Sequence, residues 1–385
     1  MYKDQPVPPS NFLRIIVSFF SISIPFYIPP DMKAIKIVGS RRAKVMARVP
    51  MPELAGDCVL IKTMAVALNP TDWKHIDFIS TKGATAGCDY SGIIEEIGSD
   101  VDPAHGLQVG DRVAGFNHGC NGENLSDGSF AEYIAVKAHI NIKLPDWMSF
   151  EDGATLAVGI TTVAQGMYQQ LRLPLPLPSP TSSITAADDA QPILIYGGST
   201  ATGTLAIQFA KLSGFKVITT CSPHNFSLVQ ERGADHILDH NSPTLAKDIR
   251  GLAGNELCIV LDCITTGESI IKCCDALAPS SPSRKLQYCG LFTVGALPRS
   301  DVEAGFTMSY TALGESFQKW DNYYPGSCED AQFVGDFMKL TSKLLEERKI
   351  QNHPAEVGSG LEGVMKGLDR LRKGDVSGVK LVYSL

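Results

Sequence analysis

With 385 residues, 44% of them apolar and 19% charged, the chain has the make-up of a folded globular protein and the length for two domains of roughly 100 to 200 residues each. Lys and Arg number 34 against 41 Asp and Glu, and a net charge of −7 without any basic run argues against a nucleic-acid-backbone binder. The ten cysteines (Cys58, Cys88, Cys120, Cys221, Cys258, Cys263, Cys273, Cys274, Cys289 and Cys328) form no C-x-x-C pair, which fits reduced thiols in a cytoplasmic protein better than a disulfide frame or a zinc knuckle.

At the N-terminus FLRIIVSFFSISIPFYI, residues 12–28, is strongly apolar. Arg14 and Pro25 interrupt it, it falls short of the ~20 clean apolar residues that span a bilayer, and no small-residue cleavage site stands out. Residues 1–31 are expected outside the main fold, as an extension or an artefact of start-site assignment, with no stable membrane insertion. From Met32 to about Pro145 the runs MKAIKIV, CVLIKTMAVAL, CDYSGIIEEIG, DRVAGF and SFAEYIAV, broken by Gly, Asp and Pro, predict short strands in a small barrel. Ser149 to Gln170 has helical spacing of apolar residues, and the Pro- and Ser-rich LRLPLPLPSPTSSITAADDAQP after it reads as a surface linker.

The next block changes period. PILIYGG, KVITTC, HILDH, CIVLDCI and KLQYCG are short apolar runs separated by segments of helical length, the pattern of a parallel, doubly wound sheet, because each parallel connection needs a crossover. From about Tyr324 two helical segments and the strand KLVYSL follow with no further βαβ unit, so this stretch is expected to return to the first domain. The fold class is therefore α/β: a β-rich domain from residues 32–155 and 325–385, and a Rossmann-type domain from 156–324.

IYGGSTATGTLAIQFAKLSG, residues 195–214, follows a strand and opens a helix, but spells the phosphate turn with Gly198 and Gly203 at the outer glycine places and Thr200 at the middle one. Ser199, Thr200, Ala201 and Thr202 would offer backbone N–H groups and hydroxyls at the positive end of a helix dipole, which suits a diphosphate. A plain Ser/Thr helix cap in a ligand-free α/β domain is the alternative. The next strand ends in Ser222-Pro223-His224-Asn225, where an NAD enzyme usually carries an acid. Donors without a carboxylate favour a 2′-phosphate, hence NADPH; capping of the following helix is the other use of these residues.

VALNPTDWK (66–74), GCDYSGIIEEIGSDV (87–101), VGDRVAGF (109–116), GSFAEYIAV (128–136) and VGITT (158–162), in this order, resemble the medium-chain dehydrogenase/reductase superfamily. YGGSTATG, TTCSPHNF and LDCIT resemble its fungal trans-acting enoyl reductases, which serve polyketide synthases. The resemblance covers residues 32–385. It implies a GroES-like domain split around an NADPH-binding Rossmann domain, without zinc: where zinc-dependent relatives have Cys before a T-D pair and His in Gly-His-Glu, this chain has Asn69 and Gly87-Cys88-Asp89, too few ligands for a catalytic ion.

By position, the resemblance places Thr71, Asp72, Trp73 and Lys74 at the nicotinamide side, with Asp72 alternatively a helix cap, and Lys74 the candidate to donate a proton or polarise a carbonyl or alternatively a solvated surface lysine. It places Ser199–Thr202 at the pyrophosphate, Ser222–Asn225 at the 2′-phosphate, His240 near the adenine, Gly290 and Leu291 beside the nicotinamide, and Val376 and Ser377 as a second contact from the returning segment. For the acyl chain it implies two walls: Thr162, Val163, Ala164, Gln165, Gly166, Met167, Tyr168 and Gln169; and Ser309, Tyr310, Thr311, Ala312 and Leu313. Ordinary core is the alternative for each of these. The activity implied is reduction of an α,β-unsaturated thioester on a polyketide synthase by a monomer. A free-standing quinone or enone reductase, and a non-catalytic NADPH-binding protein, remain the competing readings.

Overall fold

The computed structural model describes residues 31–176, 190–279 and 284–385; the apolar stretch 12–28 and most of the Pro/Ser-rich linker lie outside them. Among the described residues no helix is long and apolar enough to cross a membrane.

Two sheets carry the fold. In the first, seven strands run in the order Ala355–Ser359, Lys380–Ser384, Cys58–Ala67, Asp89–Ile97, Arg112–Phe116 and Ile142–Lys143, with Tyr133–Lys137 also paired to Cys58–Ala67. The terminal strand KLVYS thus returns to the β-rich part, pairing antiparallel with Ala65–Ala67. A hairpin of Asp31–Gly39 and Arg42–Pro50 lies against this sheet through bridges from Ala34 to Ala131 and from Lys36 to Thr85. Central strand residues such as Ile61, Ala65 and Val66 are fully buried, which is why the run CVLIKTMAVAL is almost continuously apolar.

The second sheet is wholly parallel: His236–Asp239, Lys216–Cys221, Pro192–Tyr196, Ile259–Asp262, Leu286–Gly290 and Val302–Phe306, which in order of sequence is 3-2-1-4-5-6. That order reverses at Pro192–Tyr196, and ligands of such sheets bind at the crevice this reversal opens at the strands' carboxyl ends. Five of the six strands match apolar runs expected from the sequence. The edge strand VEAGF is exposed at Glu303 and Ala304 and has no such run. Between the two sheets, Ser149–Gln170 forms the helical turns Phe150–Gly153 and Ala157–Val163 and ends in a π-helical stretch, Ala164–Gln170.

Candidate active site

The phosphate turn takes its shape from three glycines. Gly197 has φ of +82°, a left-handed bend that side chains resist. A Cβ on Gly203 would lie 2.3 Å from the Gly197 carbonyl oxygen, so only glycine lets the helix Ala201–Leu212 start so near its strand. Thr200, in the place of the middle glycine, has φ of −74° and needs no glycine. Its hydroxyl caps the helix, accepting from the Gly203 N–H at 2.9 Å. The N–H groups of Ala201 and Thr202 have no acceptor among the described residues. Tight glycines plus free donors at a helix N-terminus fit a dinucleotide's diphosphate.

Ser222–Asn225 and Ser377, far apart in sequence, meet in space. Ser377 Oγ lies 3.0 Å from both His224 Nε2 and Asn225 Nδ2. Strand pairing brings Asp239 beside Cys221, but its Oδ1 is taken by the Asn241 N–H at 2.9 Å. His240 follows that strand with its ring half-exposed and its carbonyl accepting from Lys272, while Val376 packs on the apolar cluster of the first domain.

The helix Pro70–Phe78 forms the opposite lip. Pro70 opens it, and Asp72 Oδ2 accepts from the Asn69 N–H at 2.6 Å, so Asp72 does serve as a cap. Its Oδ1 is buried without a partner, and burial pushes the carboxyl up to about 7. Lys74 reaches across the crevice: its Nζ lies 4.6 Å from the centroid of Phe292, next to Leu291, and 5.8 Å from that of Trp73. Partial burial lowers its basicity. Gly290 ends its strand under a loop fixed by Asp262, whose four bonds from Ile264 N, Thr265 N, Ser269 and Tyr288 satisfy a fully buried carboxylate. Thr265 in turn accepts from the Leu291 N–H at 2.8 Å.

The two segments expected to wall the acyl chain touch each other. Thr162 Oγ1 lies 3.2 Å from Ser309 Oγ, and Gln165 Nε2 donates to Thr311 Oγ1 at 3.0 Å. Asp330 ties both walls together, accepting from Thr311 and, at 3.0 Å, from Gln169. Tyr310 enters the first domain, its hydroxyl 3.2 Å from Thr71 Oγ1 and 3.6 Å from Cys88 Sγ. Val163, Ala164 and Met167 are fully buried in the main core, Gly166 sits against Leu261 and Thr307, and Leu313 is buried. Tyr168 points elsewhere, its hydroxyl bonded to Ser213 and its ring among Phe209 and Phe337. The Ala312 carbonyl lies 2.8 Å from His139 Nε2.

One strongly polar group here escaped the sequence reading. Lys319, 7% exposed, has neither an ion pair nor a hydrogen bond among the described residues, and its Nζ lies 4.1 Å from the centroid of Tyr310. His118 stacks on the same tyrosine at 4.1 Å. Burial pushes the Lys319 ammonium down to about 8 and His118 down to about 3. The signal was the alternation in FQK: Lys319 shares the buried face of its strand with Phe317. In the unfolded chain a lysine keeps its proton up to about 10.4, so the folded state gains stability as pH rises from about 8 toward that value. Chemical denaturation of wild type is expected to show that rise and Lys319→Met to flatten it; parallel profiles would contradict this.

Among the described residues no group of three or more His, Cys, Asp or Glu side chains could hold a metal ion. The six-stranded sheet, its glycine turn and the facing β-rich domain define an alcohol-dehydrogenase-type oxidoreductase. Family models agree: an alcohol dehydrogenase GroES-like domain matches residues 55–146, and a zinc-binding dehydrogenase domain matches 201–296. The solved CurK enoyl reductase superposes with a TM-score of 0.69 at 20% identity, covering 92% of this chain and 99% of that one. The trans-enoyl reductase resD of Aspergillus sclerotiorum is 43% identical over 91% of this chain and 99% of its own length. The enoyl reductase component lovC of the lovastatin nonaketide synthase of Aspergillus terreus is 37% identical over 94% and 98%. The chain belongs to the trans-enoyl reductase family, and that membership implies a nicotinamide cofactor.

Proposed function

We propose that this protein is an NADPH-dependent enoyl reductase that works in trans on an α,β-unsaturated acyl thioester carried by a polyketide synthase in the cytoplasm. What supports this reading is that the helix of Thr71 and Lys74 meets Phe292, just past the carboxyl end of a Rossmann strand, and Tyr310, in a chain 43% identical to a trans-enoyl reductase. NADPH, when bound, supplies hydride for the β-carbon. Ala201 and Thr202 would hold its diphosphate, His224, Asn225 and Ser377 its 2′-phosphate, and Gly290 and Leu291 would flank the nicotinamide. Reduction places negative charge on the thioester oxygen, and Lys74 is a cation placed to offset it. Thr71, bonded to Tyr310 and 3.4 Å from His75 Nε2, gives a proton a hydroxyl path toward the α-carbon. Conjugate reduction needs no Lewis acid, so the reading is metal-free.

NADPH consumption with enoyl-pantetheine thioesters tests it directly. Turnover on these substrates supports the proposal; saturating turnover on a free quinone with none on thioesters would replace it with a quinone reductase. Cofactor choice has its own test. His224→Glu puts a carboxylate where the 2′-phosphate is proposed to sit, and is expected to weaken NADPH binding by about tenfold or more while leaving NADH binding little changed. Equal effects on both cofactors, read by fluorescence titration, would remove the 2′-phosphate from this loop.

A further inference from the structure

The hairpin of Asp31–Gly39 and Arg42–Pro50 carries a charge pattern opposite to that of the protein. Residues 31–50 hold six cations, Lys33, Lys36, Arg41, Arg42, Lys44 and Arg48, against one acid, Asp31, at the end away from the turn, in a chain of net charge −7. Lys36 and Lys44 stand directly opposite each other across the two strands, a like-charge pairing that costs stability. Lys36 is satisfied internally, by Thr85 Oγ1 at 2.8 Å and the Leu125 carbonyl at 2.9 Å. Arg41, Arg42 and Lys44, at the hairpin tip, are exposed and form no ion pair among the described residues.

This cationic tip is continuous with the crevice. The Arg41 N–H donates to Ser80 Oγ at 3.1 Å, and its guanidinium lies 5.9 Å from the ring of Phe78, which is 58% exposed. From Phe78 the strip runs to Trp73 at 6.2 Å, then to Lys74 and on to Phe292, itself 45% exposed. Neither acid on this helix neutralises the strip: Asp72 is buried at its N-terminus, and Arg372 holds both oxygens of Asp77 at 3.0 Å. Exposed aromatics beside unpaired arginines are the composition of a protein interface, and a tolerated like-charge hairpin calls for an external anion.

Resting on the reading of a carrier-bound substrate, we infer that the Arg41–Arg42–Lys44 tip and the Phe78–Trp73 strip are the docking surface for the synthase's carrier domain. The arginines would engage its anionic face and the phosphodiester of the arm that bears the thioester, with the arm running along the aromatic strip to Lys74. Guanidinium forks suit phosphate and carboxylate geometry, and charge complementarity acts chiefly on encounter.

The test compares one enoyl chain on two supports: the holo carrier domain and free pantetheine. The triple variant Arg41→Glu, Arg42→Glu, Lys44→Glu is expected to raise KM for the carrier-bound substrate by about tenfold or more at low salt, with kcat and the pantetheine kinetics unchanged. Raising salt should increase the wild-type KM for the carrier substrate and leave the variant's flat. The matching triple Gln variant, with wild-type thermal melting, should fall between the two. An unchanged carrier KM, or equal losses on both substrates, would overturn the inference. So would charge-dependent binding to anionic vesicles or DNA without any change in carrier KM. A wild type inert on both supports would instead sink the enoyl-reductase reading, and this surface with it.

Discussion

Gly203→Ala is expected to weaken NADPH binding by about a hundredfold or more and to remove the rise in melting temperature that the cofactor otherwise produces. The added Cβ would stand 2.3 Å from the Gly197 carbonyl oxygen and 2.7 Å from Gly198 Cα. Both are backbone atoms of the same turn, so no rotamer change relieves the contact. The helix must move off its strand, carrying with it the Ala201 and Thr202 N–H groups proposed to hold the diphosphate. Overpacking of this kind costs about 1–3 kcal/mol in stability, enough to lower the melting temperature by several degrees without preventing folding. Gly251→Ala is the control: this helical glycine has nothing within 4 Å of a new Cβ, and alanine there is expected to be neutral or stabilising. Wild-type NADPH affinity in Gly203→Ala would mean that the turn is not the diphosphate cradle.

Lys380→Met is expected to destabilise the protein by about 3–5 kcal/mol, because it leaves the carboxylate of Asp89 buried without its cation. Lys380 Nζ lies 2.5 Å from Asp89 Oδ2, with side chains 3% and 0% exposed. Asn69 Nδ2 donates to the same oxygen at 2.8 Å, and the Val158 N–H to Oδ1 at 2.8 Å. One carboxylate thus fastens the returning C-terminal strand, the cap of the Pro70–Phe78 helix and the helix Ala157–Val163, which leads into the segment proposed as an acyl wall. Loss of the cation should therefore lower kcat as well as the melting temperature, through Thr71 and Lys74. The double variant Lys380→Met, Asp89→Asn is expected to recover part of the stability, since the orphaned charge is then gone. A single variant that melts like wild type would show that Asp89 does not depend on Lys380.

The Lys380–Asp89 pair also shows where sequence reading stops. Asp89 was legible as the residue standing where zinc-dependent relatives have the acid of Gly-His-Glu, and Lys380 as the first residue of a strand. That the two join was not, because their 291-residue separation is closed only by the pairing of KLVYS with Ala65–Ala67. Lys319 was passed over for a related reason. Its burial depends on Tyr310 and His118, which arrive from other segments.

What the sequence determined by itself is whatever local periodicity and backbone sterics encode. That includes the change from strand alternation to strand–helix repeats and the glycine turn with its tolerated Thr200. The family resemblance also implied Tyr168 as a wall beside Thr162. Only the tertiary structure decided which hydroxyls and cations share the crevice: it turned Tyr168 toward Ser213 and Phe337 and brought Ser377 to His224. Direction within a π-helical turn and contacts across two sheets depend on long-range packing, where each side chain goes where its volume and hydrogen bonds are satisfied, and no short window of sequence contains those partners.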